Sequence, residues 1–177
     1  MGRAAPMRVS TRPEGMPIER VVHARTLRRI GLVVLGLFIL AGLFNLLGVW
    51  TSTVSAEAGG YVLSVEYAAV TRPGLASSWI VEVRHEGGFD GPVTLATDAD
   101  YFDRFDFNQL YPEPVSTSVR GNLDLLTFDD IEGDRLRVRF DGRVAPAFAL
   151  ALARGSTAVE VDGERVVRVE YTTVAMP

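Results

Sequence analysis

The chain lacks cysteine and lysine altogether and contains only two histidines among its 177 residues. Without cysteine it can form no disulfide, no thiolate zinc site and no cysteine nucleophile. A domain of roughly 120 residues can do without disulfides, because a chain of that length buries a sufficient core of its own. The sequence therefore predicts one globular domain stabilised by packing rather than by cross-links.

Recognisable catalytic and cofactor motifs are also absent. The sequence contains no G-x-G-x-x-G, no Walker-type phosphate loop, no H-E-x-x-H and no G-x-S-x-G. His85 is the single histidine beyond residue 50, and no nucleophile motif accompanies it as a partner for general base catalysis. We therefore predict no enzymatic activity, no cofactor and no zinc site.

Acidic residues are scarce in the N-terminal part of the chain, and basic residues are the minority in the rest. Residues 1–50 hold seven Arg against two Glu, a net charge of +5, whereas residues 51–177 hold eleven Arg against twenty acids, a net charge of −9. Nucleic-acid binding needs a basic face that neutralises phosphates. The acidic C-terminal part argues against a nucleic-acid partner.

One long apolar run stands out. Ile30 to Trp50 spans 21 residues without a charged side chain, and a helix of that length is about 30 Å long, the thickness of the bilayer hydrocarbon. Arg25, Arg28 and Arg29 precede the run. The positive-inside rule then predicts a single-pass plasma-membrane protein with a disordered, basic cytoplasmic tail over 1–29 and an extracellular C-terminal domain.

Two features of this segment carry alternatives. Val54-Ser55-Ala56 fits a signal-peptidase site, so cleavage before Glu57 is the rival to an uncleaved anchor. Ala41, Asn45 and Gly48 share one helix face, which predicts contact with another membrane helix through small residues and an amide. Alternatively, Asn45 lies shallow enough to meet interfacial water, and its only partner is then the lipid bilayer.

The remaining residues, from 60 to 177 after a linker over 51–59, alternate between short apolar stretches and Gly or Pro turns. Trp79 to Glu86 and Arg135 to Phe140 alternate strictly, as half-buried strands do. Eight or nine such strands predict a mainly β fold, an antiparallel β-sandwich of the immunoglobulin-like or fibronectin-like kind, with a jelly roll or small barrel as alternatives. Asp141-Gly142 is expected to be a turn, and Val144 to Ala153 a strand, with a short helix as the alternative for the latter.

The last hairpin is expected to turn at Asp162-Gly163. A two-residue loop pairs Val159 with Val166, whereas a three-residue loop that begins at Val161 aligns Val159 with Val167. The three-residue loop creates one coherent apolar face, so the sequence favours it, with Gly163 in the left-handed conformation.

Several segments of this region also carry a resemblance: Thr71-Arg72-Pro73-Gly74, Gly88-Phe89-Asp90-Gly91-Pro92-Val93-Thr94-Leu95 and Leu126-Thr127-Phe128. With the span from Gly60 to Pro146, they resemble uncharacterised single-pass envelope proteins of high-GC Gram-positive bacteria that have an immunoglobulin-like extracytoplasmic β-domain. The resemblance implies a plasma-membrane location and no particular activity.

One acidic and aromatic segment is a candidate site. Its aspartates, whose oxygens suit calcium but whose spacing is not that of an EF-hand, are Asp98, Asp100, Asp103 and Asp106. Its aromatic side chains, which predict either core packing or an exposed partner-binding loop, include Phe102, Phe105, Phe107 and Tyr111. A solvated loop is the simpler interpretation of the aspartates.

The sequence as a whole favours a membrane-anchored binding or accessory module that docks on another membrane or envelope protein. This inference rests on the common use of small β-sandwiches as interaction domains. A structural envelope component that contacts wall polymer is the first alternative, and an enzyme with an unrecognised site is the second.

Overall fold

A computed structural model describes residues 18–43 and 48–176, which fall into two compact units that separate between residues 47 and 48. The first unit contains helix α1, Ile18–Leu43. No helix in these two ranges is both long enough and apolar enough to cross a membrane. Residues 18–29, expected to belong to a disordered tail, are helical, because they contain neither Gly nor Pro and are rich in helix-compatible side chains.

The apolar side chains of α1 point to all sides of the helix and are exposed. Those with about half or more of their surface exposed are Leu27, Ile30, Leu32, Val33, Val34, Leu35, Leu37, Phe38, Ile39, Leu40 and Leu43. Exposed apolar surface therefore lies on every side of α1.

The second unit consists of ten strands and one short helix. The strands are β1 (Trp50–Ala58), β2 (Tyr61–Thr71), β3 (Ala76–His85), β4 (Val93–Asp98), β5 (Phe105–Tyr111), β6 (Ser116–Arg120), β7 (Leu123–Phe128), β8 (Arg135–Val144), β9 (Ala151–Val161) and β10 (Glu164–Ala175). Helix α2, Ala99–Phe102, lies between β4 and β5. The prediction of a mainly β unit is confirmed.

All ten strands belong to one hydrogen-bonded sheet. Its order is β5-β8-β3-β2-β10-β9-β4-β7-β6, and β1 pairs with β2 beside this path. The β2–β10 pair is parallel, through Val70–Val174 and Thr71–Ala175, and the remaining pairs are antiparallel. The sheet is therefore mixed, and the prediction of a wholly antiparallel arrangement is wrong at this pair.

One core joins both halves of the sheet. Leu63 and Val81 from one half and Leu95 and Val159 from the other are fully buried in the same apolar cluster. Because side chains of one face meet across this cluster, the sheet curls around it. The strict alternation predicted for β3 and β8 is confirmed, with Val83 and Val138 facing inward.

The predicted linker over 51–59 is instead strand β1. It pairs along its full length with β2, from Trp50 opposite Val70 to Ala58 opposite Tyr61. Gly59 and Gly60 both have positive φ, so they form the tight turn of a hairpin rather than the start of the domain. Most β1 side chains are exposed Thr, Ser and Glu, and for this reason the sequence shows no apolar signal there.

The β9–β10 hairpin contains elements of both predicted registers. Val161 lies opposite Glu164, so the loop has two residues, Asp162 and Gly163, both with positive φ. A bulge between Arg165 and Val167 then restores the pair Val159–Val167 that the three-residue loop was expected to create. The predicted loop length is wrong, whereas the predicted apolar face and the left-handed Gly163 are confirmed.

Two turn and strand boundaries near β8 also differ from expectation. Asp141 and Gly142 do not form a turn, because β8 passes through them and pairs with β3 on one side and β5 on the other. Residues 145–150 form no strand, and β9 begins only at Ala151. The central position of β8 between two partners outweighs the turn preference of Asp-Gly.

Candidate functional site

The acidic and aromatic segment after β4 folds as a helical turn followed by a strand, not as one loop. Asp98 ends β4 and accepts a hydrogen bond from Ser156 Oγ at 2.8 Å. Asp100 lies in α2, Asp103 caps the end of α2, and Asp106 lies on β5 opposite Arg143. In residues 18–43 and 48–176, no group of three or more His or acidic side chains is arranged to hold a metal ion. The fold thus distributes the four calcium candidates over three elements.

The aromatic side chains of this segment also go separate ways. Phe102 is buried and packs edge-on against Trp79, with ring centroids 5.0 Å apart. Phe105 is half-buried at the start of β5, and Tyr111 at its end is 70% exposed. The side chain of Phe107 lies outside the described part of the structure, as do those of Ala41 and Asn45, so the proposed helix face 41–45–48 is not described either.

A cleft opens where the path of the sheet ends. β5 pairs with β8 and β6 pairs with β7, and within residues 48–176 neither of these end strands has a second strand partner. Between them lies a cavity of about 380 Å³. We call it the β5–β6 cleft and define it by its lining residues, Thr97, Phe102, Asp103, Phe105, Thr117, Asp124, Leu126 and Phe140.

The cleft combines aromatic walls with carboxylates. Phe102 and Phe140 meet with centroids 5.1 Å apart at an interplanar angle of 60°, which turns one ring face and one ring edge toward each other. Asp103 and Asp124 stand at the same opening. Aromatic faces attract cations through their quadrupole, and carboxylates add the opposite charge. The cleft can therefore hold an apolar group that carries a positive charge.

The electrostatics of Asp124 agree with this description. Burial raises the pKa of its carboxyl above the ordinary value, and the negative charge of Asp103 raises it further. The backbone carbonyl of Asp124 accepts a hydrogen bond from Thr97 Oγ1 at 3.4 Å, so β4 and β7 fix its position. A cation in the cleft would relieve the repulsion between the two carboxylates.

Sequence reasoning found only part of this site. Phe102, Phe105 and Asp103 are candidates from the sequence, whereas Phe140 belongs to a predicted half-buried strand and Asp124 is not singled out. The lining residues come from β4, α2, β5, β6, β7 and β8, and no local pattern links six elements. These lining residues can be recognised as one site only from the three-dimensional structure.

His85 shares one face of β3 with Trp79, Val81 and Val83, and it lies half-buried there. Its Nδ1 donates to the carbonyl oxygen of Gly88 at 2.7 Å, and its ring stacks on Tyr61 with centroids 4.2 Å apart. Phe89 completes the group at 6.2 Å. This packing fixes the position of the His85 ring beside the turn that follows β3.

The fold defines the class: a mainly β protein with one curled, mixed sheet. No protein-family model and no curated protein matches the chain. Among solved structures it is similar to a DUF4466 family protein from Parabacteroides merdae, with a TM-score of 0.37 and 9% identity over 71% of this chain and 42% of that one.

A second solved structure is the alkylpurine DNA glycosylase AlkC of Pseudomonas fluorescens, bound to DNA containing an abasic site analogue. Its TM-score is 0.30 at 17% identity, over 60% of this chain and 28% of that one. The chain spans less than half the length of either protein. At these scores, neither likeness bears on function.

Proposed function

We propose that the protein is a single-pass, membrane-anchored binding module whose extracellular β unit holds an extended, cationic segment of a partner protein in the β5–β6 cleft. The observation that carries this proposal is the cleft itself, an aromatic cavity with two carboxylates between two end strands. The curled sheet around one core supports an immunoglobulin-like sandwich as the proposed architecture.

The outer edge of β6, which pairs with β7 alone within residues 48–176, supports a peptide rather than a small molecule as the ligand. An extended peptide can add to an exposed sheet edge through main-chain hydrogen bonds, while its alternate side chains enter neighbouring pockets. β6 is short, regular and exposed at all five residues, and Thr117 on this strand lines the cleft. A partner strand beside β6 would direct one basic side chain toward Asp103 and Asp124.

The apolar run from Ile30 to Trp50 supports the membrane anchor. Part of this run, residues 44–47, lies outside the described residues, and its described part carries apolar side chains that are exposed on all sides of α1. Exposed apolar surface of this extent is unfavourable in water and favourable in lipid. The proposed localisation is the plasma membrane, with the β unit on the outer side.

The test uses the full chain in its native membrane, with a photo-crosslinking amino acid at Thr117. The chain is compared with a variant that carries Asp103→Asn and Asp124→Asn. We expect a cross-linked partner whose attachment site lies beside Lys or Arg, and we expect at least a tenfold loss of cross-linking in the double variant.

A matched control carries Asp129→Asn and Asp130→Asn. These two aspartates lie at the exposed end of β7, outside the cleft, and the control changes the net charge by the same amount. Equal cross-linking in both double variants would overturn the proposal, because general acidity rather than the cleft would then explain the binding.

A further inference from the structure

The exposed apolar side chains of the β unit are concentrated at one end. In residues 48–176, nine large apolar side chains are exposed, and six of them lie at the end where β1 begins and β10 finishes. We call this surface the apolar end and define it by Trp50, Leu75, Leu150, Leu152, Val174 and Met176. The other three lie around β5 and β6.

Hydrogen bonds and strand register hold these side chains together. Val174 pairs with Leu152 on one side and with Val70 on the other, and Val70 also pairs with Trp50, so one cross-strand row runs over four strands. Residues directly opposite each other project to the same face of a sheet. Met176 joins the row through its N–H, which donates to the Thr71 carbonyl at 2.9 Å.

Leu150 is the most unusual member of the apolar end. It is 79% exposed, and its φ of +50° lies in the left-handed region. A leucine in this conformation is strained, and Gly or Asn would fit better. If water surrounds Leu150, nothing compensates the strain of its backbone. If the surface contacts an apolar medium, burial of the leucine side chain compensates that strain.

The opposite end of the unit has the contrary character. Its turns and strand ends carry nine exposed acids, Glu57, Glu86, Asp90, Asp129, Asp130, Glu132, Asp134, Asp162 and Glu164. Anionic lipid headgroups repel such a surface. Exposed acids at the same end as the apolar side chains, Asp100, Asp103 and Asp106, lie in or beside α2 and on β5, outside the row formed by β9, β10, β2 and β1. Next to that row, Arg154 follows Leu152 on the outer face of β9, about 7 Å further along the strand. An arginine at that height would meet headgroup phosphates.

Chain connectivity decides what covers the apolar end. Trp50 is both the first residue of β1 and the last residue of the apolar run from Ile30, so the row starts where the proposed span stops. We propose that the apolar end of the β unit rests on the outer surface of the lipid bilayer, with Leu150 and Leu152 inserted among the headgroups. This inference rests on the proposed membrane anchor.

The experiment exploits the absence of cysteine. The full chain with Leu152→Cys, labelled with an environment-sensitive fluorophore, is reconstituted into phosphatidylcholine–phosphatidylglycerol vesicles that contain nitroxide lipids. The matched control is Glu170→Cys, an exposed position on the outer face of neighbouring β10. We expect the nitroxide lipids to quench the Leu152 label at least threefold more strongly than the Glu170 label.

The outcomes distinguish the contact of the apolar end with the bilayer from the membrane anchor. If the chain floats with the vesicles and both labels are quenched equally little, the proposed contact with the bilayer is overturned and the anchor stands. If the chain does not float with them, the anchor itself is overturned. If unlabelled Leu152→Cys cross-links to a second copy at high lipid dilution, the apolar end is a contact between copies, and the lipid proposal is overturned.

Discussion

The hydroxyl of Tyr101 lies 2.9 Å from Oγ1 of Thr173, deep inside the β unit. Thr173 uses its own proton to donate to the carbonyl of Ala68 at 2.7 Å, so Tyr101 is the donor in its bond with Thr173. A single buried threonine therefore links the end of α2 to β2 and β10. Thr173 is fully buried, and no solvent can replace these partners.

Thr173→Val is expected to destabilise the protein more than Tyr101→Phe. The valine leaves a buried phenol without an acceptor, which costs about 1–3 kcal/mol, whereas the phenylalanine removes one hydrogen bond worth about 0.5–1.5 kcal/mol and leaves Thr173 bonded to Ala68. Denaturant unfolding of both variants measures the difference. Equal losses would show that the two hydroxyls do not form the described chain of bonds.

Alkaline pH is expected to destabilise the fold. Burial raises the pKa of Tyr101 and of Tyr171 above the ordinary tyrosine value, because the charged phenolate is disfavoured in the core. Both pKa values are raised in the folded state, so the full stability is present below about pH 10, the unfolded tyrosine pKa, and declines as the pH rises further.

Unfolding midpoints between pH 8 and 11, together with phenolate absorbance, test this expectation. In Tyr171→Phe the decline should be shallower, because one of the two groups no longer titrates. Phenolate absorbance that rises fully before the protein unfolds would contradict the burial of these rings.

Asp103→Asn is expected to lower the pKa of Asp124. The Asp103 charge is the second cause of the raised Asp124 pKa, after burial, so its removal takes away part of the shift. Because the folded pKa is raised, Asp124 opposes folding as the pH rises through its titration range, and Asp103→Asn should reduce that opposition at neutral pH. Carboxyl NMR titration measures the change. An unaltered Asp124 pKa would show that the charge of Asp103 does not act on Asp124.

Gly155→Ala is expected to cost about 1–3 kcal/mol through overpacking. A Cβ at this position would lie 2.5 Å from Cε2 of Tyr171 and 2.7 Å from Cγ of Tyr101, both in buried rings. Gly91→Ala is the matched control, since a Cβ there meets no atom within 4 Å. Thermal unfolding of the two variants should differ by several degrees, and similar melting temperatures would contradict the tight packing at Gly155.

Arg120→Ala is expected to cost about 1–3 kcal/mol. It leaves the carboxylate of Glu160, which is 5% exposed, with only the longer ion pair to Arg165, in which the N–O distance is 4.0 Å. The loss stays below that of a fully buried pair because this contact remains and because Arg120 is half-exposed. Arg139→Ala breaks a pair with Asp141 in which both side chains are about half-exposed, and should cost less than about 1 kcal/mol. If the two variants had equal urea midpoints, the burial of Glu160 would not make its ion pair stronger than the exposed pair.

Local patterns predicted the strands whose two faces differ. Val81 and Val83 alternate with polar neighbours in β3, and the structure confirms the inward face of each. The strand β1 was not predicted because its side chains are nearly all exposed. The strand β5 was not predicted because its partner residues in β8 follow 28 to 39 positions later and because it belongs to the acidic segment that was expected to be a loop. Pairing partners, not intrinsic preference, decide such segments.

The candidate site was less predictable than the fold. Phe102 and Asp103 could be singled out as unusual residues, but their meeting with Asp124 and Phe140 depends on the curl of the sheet. The bulge after Arg165 has the same origin, since the apolar face of the whole strand is worth more than one regular pair at the turn. Sequence periodicity predicts which face of a strand is buried. It does not predict a cavity, because a cavity forms where the faces of strands far apart in the sequence meet.

The parallel contact between β2 and β10 constrains how the protein can be made. Val70 and Val174 pair across more than a hundred residues, so the first long strand waits for the last one before the sheet is complete. Closure of so large a loop is slow, because entropy must be lost before the contact forms. While the chain is being synthesised, β2 has β1 and β3 as early partners, but Val70 and Thr71 lack their partners in β10 until that strand has been made. The sheet therefore stays incomplete until its last strand has been made, and the two pairs that join β2 to β10 form at the end of folding.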